Sequence, residues 1–260
     1  MRMNDITELA ENPNLISGIH NYCDRWCERC PFTARCLVYA TEVADSDNDP
    51  GSYDISNAAF WQKLAAIFEK TKGMISVWAE ENGVALSPGA LAEVKDQKDR
   101  CRGKARNHSL SRAAEEYARA VSHWFEKDFP RMEVFGDAAP EADGRPEFDE
   151  ENDCAEVIRW YQFFIAAKTI RGLLSRADED EDLAEEDSRD SEGSIKVALI
   201  AIDRSISAWK LMGELRPENS DSIHRLLLDL EKLRLSAERE FPRARDFIRP
   251  GFDENLDILH

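Results

Sequence analysis

Glycine and proline are scarce in this chain. Only 12 Gly and 10 Pro occur among 260 residues, and they cluster between segments in which apolar residues recur every three or four positions. No convincing alternation of apolar and polar residues, the pattern of a half-buried strand, is present. No window of eighteen uncharged apolar residues occurs either: the best candidate, residues 195–212, contains four charged side chains. These absences argue against a sheet and a membrane span, and they predict an all-α helical bundle.

Targeting signals and common catalytic motifs are also missing. The first twenty residues lack the apolar core of a secretory signal, which predicts a soluble, cytoplasmic protein. No P-loop, dinucleotide-binding glycine signature or G-x-S-x-G elbow is found. Glu-x-x-His, which a di-iron carboxylate bundle requires, is absent as well. Whether the chain is an enzyme stays open at this point.

Positive charge is in short supply. The formal net charge is −18, and residues 178–192 alone contribute ten acidic side chains and one Arg, which is half of the total. Because such a field opposes phosphate backbones and anionic lipid, we expect no nucleic-acid partner and no membrane partner. A protein partner is possible, with the acidic stretch facing it. The oligomeric state is not predicted.

Apolar residues at helical spacing predict about six main helices. The first carries a stripe from Phe60 to Trp78 and ends at Asn82-Gly83, and the second opens at Ser87-Pro88. Four more are expected near residues 110–125, 152–176, 195–209 and 220–237. We therefore divide the chain into a cysteine-rich segment, 1–54, and a helical bundle, 55–260. A Pro/Gly loop at 129–149 and an acidic loop at 177–194 interrupt the bundle.

Four of the six cysteines lie within fourteen residues. They are Cys23, Cys27, Cys30 and Cys36, with the spacing C-x3-C-x2-C-x5-C. In a cytoplasmic protein disulfides are disfavoured, so clustered thiols indicate metal ligands or catalysts. Thiolates select soft centres such as zinc, copper(I) or iron–sulfur clusters. Arginines 25, 29 and 35 lie among them and would offset the negative charge of a bound centre.

The spacing favours a [4Fe–4S] cluster over zinc. On a straight helix Cys23 and Cys30 are separated by roughly 10 Å along the axis. One zinc ion, with Zn–S bonds of ~2.3 Å, could hardly gather both, whereas a four-iron cube is wider. Pro31 forces a break that could turn Cys36 back toward the others.

Other interpretations of these cysteines stay open. Zinc is the alternative occupant, and buried or redox-active thiols on one helix face are a further one. His20 could replace a thiolate, and Cys101 or Cys154 could supply a missing ligand, although both are expected to be buried.

Two short resemblances concern this segment. Cys23-x3-Cys27-x2-Cys30 is similar to the three-cysteine loop of radical-SAM enzymes. Cys27-x2-Cys30-x5-Cys36 resembles part of the auxiliary-cluster signature in the SPASM extension of some of those enzymes. Each covers fewer than fifteen residues, and the chain lacks the alternating βα pattern of those enzymes. The resemblances point to cluster ligation but assign no family and no activity.

Three hypotheses follow. The favoured one is a helical protein that binds an Fe–S cluster, or zinc, through the four cysteines. It would act in electron transfer or as a metal-stabilised interaction module, with Trp26 and Phe32 shielding the centre. The second is an enzyme of unknown reaction with its site in the helical body and purely structural cysteines. The third is a metal-free protein-interaction adaptor.

Overall fold

The structure, a computed structural model, describes residues 12–45, 55–84, 87–129, 149–179 and 188–254. In these ranges it contains seven α-helices, several 3-10 turns and no strand. The helices are α1 (Leu37–Asp45), α2 (Ala58–Glu81), α3 (Pro88–Asn107), α4 (Ser109–Lys127), α5 (Glu150–Glu179), α6 (Ser188–Leu215) and α7 (Ser220–Glu240). The predicted all-α class is confirmed. The helix beyond the six predicted is α1, which follows directly on the last clustered cysteine.

The chain forms two compact units. The N-terminal unit contains the described residues of Met1–His20 and Arg25–Arg100, and the bundle unit contains Asn21–Asp24 and the described residues of Cys101–His260. Helix α3 runs from one unit into the other. The predicted division at residue 54 falls outside the described residues and stays a prediction.

Helices α4 to α7 form a closed four-helix bundle. Each packs against the next in the chain, and α4 also packs against α7, so the four surround one core. Helices α5 and α6 have the most extensive contact. They are antiparallel, because Glu151 pairs with Arg216 at one end and Gly172 meets Ile195 at the other. A Cβ at Gly172 would overlap the Ile195 side chain, so glycine is what allows this close approach.

Aromatic side chains fill one end of the bundle core. Trp209 of α6 is fully buried and donates a hydrogen bond from Nε1 to the Tyr117 hydroxyl of α4 at 2.9 Å. Burial raises the pKa of Tyr117 far above its usual value. Trp124 packs edge-on against Trp209 with 4.8 Å between ring centroids. The apolar stripes predicted for α4, α6 and α7 therefore correspond to the core.

Helix α2 has well-defined ends. The Asn57 side chain accepts a hydrogen bond from the Ala59 N–H at 3.0 Å, which caps the first turn. At the other end Gly83 has φ +66°, and the Val84 N–H returns to the Ala79 carbonyl at 2.8 Å. This is a Schellman motif, and it confirms the predicted stop at Asn82-Gly83.

Two predicted loops are only partly described. Residues 130–148 of the Pro/Gly loop and 180–187 of the acidic loop lie outside the described residues. The helices extend into the acidic loop from both sides, since α5 continues to Glu179 and α6 begins at Ser188. The reason is packing: Ser191 and Ser194 in the first turns of α6 are buried. None of the described helices combines the length and apolar character that crossing a membrane requires.

Candidate functional site

The stretch from Cys27 to Cys36 contains two short 3-10 turns and no α-helix. The turns span Cys27–Arg29 and Thr33–Arg35, and each ends on a cysteine with extended backbone, Cys30 and Cys36. Pro31 accounts for the first ending, because the residue before a proline is sterically excluded from the helical region. The arrangement with three cysteines on one helix face is therefore not adopted.

The Cys27–Cys30 pair encloses a tight turn. The Cys30 N–H donates to the Cys27 carbonyl at 3.2 Å, and the Phe32 N–H donates to Cys30 Sγ at 3.4 Å. The second turn has the same backbone hydrogen bond: the Cys36 N–H donates to the Thr33 carbonyl at 3.2 Å. Main-chain N–H groups that donate to sulfur are a feature of the surroundings of metal-bound thiolates.

All four clustered cysteines are free thiols of intermediate exposure. Cys27, Cys30 and Cys36 belong to the N-terminal unit, and Cys23 belongs to the bundle unit. Among the residues that the structure describes, no three Cys, His, Asp or Glu side chains are grouped as a metal site. The structure thus places each predicted ligand in a turn or coil but does not bring three of them together.

Three arginines lie in these turns or just before them in the chain. The Arg29 guanidinium lies over the ring of the buried Trp26, 4.1 Å from its centroid. Arg35 donates from Nε to the Asn14 carbonyl at 3.2 Å. Arg25 pairs with Glu42 at 3.5 Å and has φ +61°, a left-handed conformation that non-glycine residues rarely adopt.

His20 belongs to the N-terminal unit, as do Cys27, Cys30 and Cys36. Burial, assisted by the positive charge of Arg25, lowers the pKa of His20 below its usual value of 6.5. The imidazole is therefore mainly neutral at pH 7, and the neutral imidazole is the form that binds metals.

The segment Asn21–Asp24, hereafter the anchor segment, packs on α5 and α6 of the bundle unit. Asp24 Oδ2 accepts hydrogen bonds from the Tyr161 hydroxyl at 2.7 Å and from Arg204 Nη1 at 2.5 Å. Its carbonyl accepts from Trp160 Nε1 at 3.1 Å. Burial, and next the hydrogen bond to Asp24, raise the pKa of Tyr161 to about 12. These contacts fix the backbone on the carboxyl side of Cys23.

Tyr22 provides the apolar part of the anchor segment. Its ring packs on Phe247 with 4.6 Å between centroids, and its hydroxyl donates to Asp190 Oδ1 at 3.1 Å. A Cβ at Gly193 would overlap the Tyr22 ring. Sequence reasoning did not identify this anchor, because its partners lie far along the chain and follow no periodic pattern.

The two isolated cysteines lie in the core of the bundle unit. Both Cys101 and Cys154 are buried, as predicted. Burial, and next the charge of Asp153, raise the pKa of the Cys154 thiol. Cys154 is therefore a poor source of thiolate, and both residues are buried side chains of the core.

The bundle unit also contains an open cleft between α4 and α7. Its volume is about 410 Å³. It is lined by Ser109, Leu110, Ala113, Glu116, Tyr117, Asp229, Lys232, Leu233, Ser236 and Glu240. Glu240 is held at one edge, because it accepts from Arg176 Nη2 at 2.7 Å and lies 3.0 Å from His108 Nε2. Three carboxylates and one ammonium make the lining acidic.

Comparison of the chain with protein-family models, curated proteins and solved structures finds no match.

Proposed function

We propose that Cys23, Cys27, Cys30 and Cys36 bind one inorganic centre, an Fe–S cluster of the [4Fe–4S] type, with zinc as the alternative. A cluster would supply one-electron transfer, and zinc would supply folding energy to a module that binds a protein partner. The chain would work in the cytoplasm, where thiols stay reduced. All six cysteines are free, which agrees with that compartment.

The observation that carries the proposal is the turn at Cys27 and Cys30. Two thiols three positions apart flank a hydrogen-bonded turn, and the backbone N–H of Phe32 donates to one sulfur. Soft sulfur donors suit iron–sulfur and zinc centres, so the chemistry of the donor set fits. Because the described turns do not gather three ligands, binding would draw the sulfurs together and so be coupled to local folding.

The charges near the turns support a dianionic centre. A zinc tetrathiolate and an oxidised four-iron cluster bound by four thiolates each carry two negative charges. Arg25 and Arg29 lie in the same stretch of chain. The Arg25 side chain is exposed, and the Arg29 guanidinium stacks on an aromatic ring. Such cations offset the charge of bound thiolates and favour their deprotonation.

Metal analysis of untagged protein purified without oxygen tests the proposal. We expect about one cluster or one zinc ion per chain, with a visible charge-transfer band only for the cluster. The double variant Cys27→Ser, Cys30→Ser should lose the metal, and Cys154→Ala, which changes a buried core thiol, should keep it. Wild-type protein that takes up neither iron and sulfide nor zinc on reconstitution would refute the proposal, and so would metal retained by the double variant.

A second candidate function is an enzyme with its site in the helical body. The observation that favours it is the acidic cleft between α4 and α7, which is large enough for a small molecule. In that case the cysteines only stabilise the fold. The double cysteine variant would then lower stability and leave ligand binding to the bundle intact. The metal-free adaptor is the third candidate, and stoichiometric metal in the purified protein would eliminate it.

A further inference from the structure

The exposed face of α2 follows the pattern of a coiled-coil seam. The residues Trp61, Leu64, Phe68, Thr71, Ile75 and Trp78 are spaced by three and four positions in strict alternation, as are the core positions of a heptad repeat. Phe68 is 64% exposed, Trp78 57% and Trp61 56%. Single exposed apolar residues are ordinary, but a row in which five of six side chains are apolar, three of them aromatic, marks a surface that another molecule covers.

This helix is long and well formed, yet nothing described in its own unit packs extensively along it. Its first turn is capped by Asn57, and its last turn closes on Gly83. Trp61 is also held in place, because its Nε1 donates to the Ile55 carbonyl at 2.8 Å. An isolated helix is marginal in water even with good ends, and most helices are stabilised by burying an apolar face.

The row of residues is symmetric about the Glu69–Lys70 peptide bond. Read from either end the spacing is three, four, three, four, three. An antiparallel second copy of α2 therefore sets Trp61 against Trp78 and Phe68 against Thr71. Each of the two central contacts then joins a large side chain, Phe68, to a small one, Thr71, which allows close packing. A parallel copy would instead place two Phe68 rings in one layer and two Thr71 side chains in the next.

The charges of α2 agree with a second copy as the occupant. The chain as a whole carries −18, but these 24 residues contain three Lys and three Glu and are neutral. Two copies can therefore approach along this helix without the repulsion that opposes contact elsewhere. In the antiparallel pair Lys72 lies beside Ala65 of the second copy. On this side of the row, therefore, no like charges meet.

The available area suits a moderate interface. Six side chains of α2 (Trp61, Ile67, Phe68, Met74, Ile75 and Trp78) are 43 to 64% exposed. Aromatic and large aliphatic side chains of this kind bury roughly 100 Å² each, so a pair of helices would bury about 1,200 Å². That area is at the lower end for specific complexes, which indicates a dimer whose population depends on protein concentration.

We propose that α2 is a self-association surface, through which two copies of the chain form an antiparallel pair. Sedimentation equilibrium of the full chain over a range of concentrations measures this directly. The wild-type protein should shift from monomer to dimer as its concentration rises. Phe68→Glu should be monomeric, whereas Ala66→Glu, which adds the same charge on the opposite side of the same helix, should remain a dimer. Circular dichroism checks that both variants stay helical.

The orientation has its own test. If the helices are antiparallel, Ala65→Glu creates two new ion pairs with Lys72 and tightens the dimer ~3-fold, and Ala65→Lys weakens it. In a parallel pair residue 65 would lie beside Phe60 of the second copy, and Ala65→Glu would not tighten the dimer. A wild type that is monomeric at all concentrations, or a dimer that Phe68→Glu leaves intact, would overturn the proposal. Binding of a monomeric wild type to lipid vesicles would assign the face to a membrane surface instead. None of these results depends on the metal centre.

Discussion

The Tyr161 hydroxyl donates a hydrogen bond of 2.7 Å to Oδ2 of Asp24, a residue 137 positions earlier in the chain. Arg204 Nη1 reaches both groups at 2.5 Å, so three side chains from three parts of the sequence form one network. This network fixes the anchor segment on the bundle unit. It gives Cys23 a defined position, and Cys27, Cys30 and Cys36 lie in short 3-10 turns or at their ends.

Removing the Tyr161 hydroxyl should loosen the anchor segment. In Tyr161→Phe the pair between Asp24 and Arg204 remains, so we expect a loss of about 1 kcal/mol in the free energy of unfolding. Hydrogen exchange should accelerate at residues 21–24 and stay unchanged in α7. The control is Tyr39→Phe, at an exposed tyrosine of α1. Unchanged exchange at residues 21–24 would show that the network does not hold the segment.

Alanine at Gly193 should separate the anchor segment from α6. Its methyl group would overlap the rings of Tyr22 and Phe247, and because the Tyr22 ring is packed against Phe247, relief requires the segment to move. We expect a destabilisation of about 2 kcal/mol, similar to other overpacked sites.

Gly103 provides the matched control for that change. It lies inside α3, and nothing lies within 4 Å of a Cβ added there. Gly103→Ala should therefore gain about 0.5 to 1 kcal/mol from helix propensity. Urea denaturation of the two variants checks both values. Equal stability of Gly193→Ala and Gly103→Ala would contradict the close packing of Tyr22.

The helices were predictable and the anchor was not, for physical reasons. Burial of one helix face repeats every three to four residues, so the core residues of α4, such as Tyr117 and Val121, could be read from the sequence. The partners of Asp24 lie 137 and 180 positions away, and no local pattern links them. Pro31 pointed to a break after Cys30, but two 3-10 turns are too short for any periodicity. The ligand role of the four cysteines stays a prediction.

Acid should weaken the contact between the C-terminal tail and α6. Asp253 accepts hydrogen bonds from Arg249 Nη2 at 2.9 Å and lies 3.0 Å from Lys196 Nζ. Burial alone would raise the pKa of Asp253, but these cations outweigh it and hold the pKa well below its usual value of 3.8. When folding lowers the pKa of a carboxyl, the ionised carboxylate stabilises the folded state. This stabilisation is fully present above the pKa that the carboxyl has in the unfolded chain, and it is lost as the pH falls below that pKa.

The variant Asp253→Asn tests this pH dependence. It should cost about 2 kcal/mol at pH 7, because it leaves Arg249 and Lys196 without their carboxylate. As the pH falls below 3.8 the difference from wild type should shrink, because the carboxyl then takes up a proton in the unfolded chain while the folded chain still holds it ionised. Asp229→Asn is the control: its pair with Lys232 is exposed, and we expect a change within about 0.5 kcal/mol at every pH. Urea unfolding curves of the three proteins at several pH values measure the effect. A cost for Asp253→Asn that stays constant as the pH falls would mean that Asp253 acts through its shape and not through its charge.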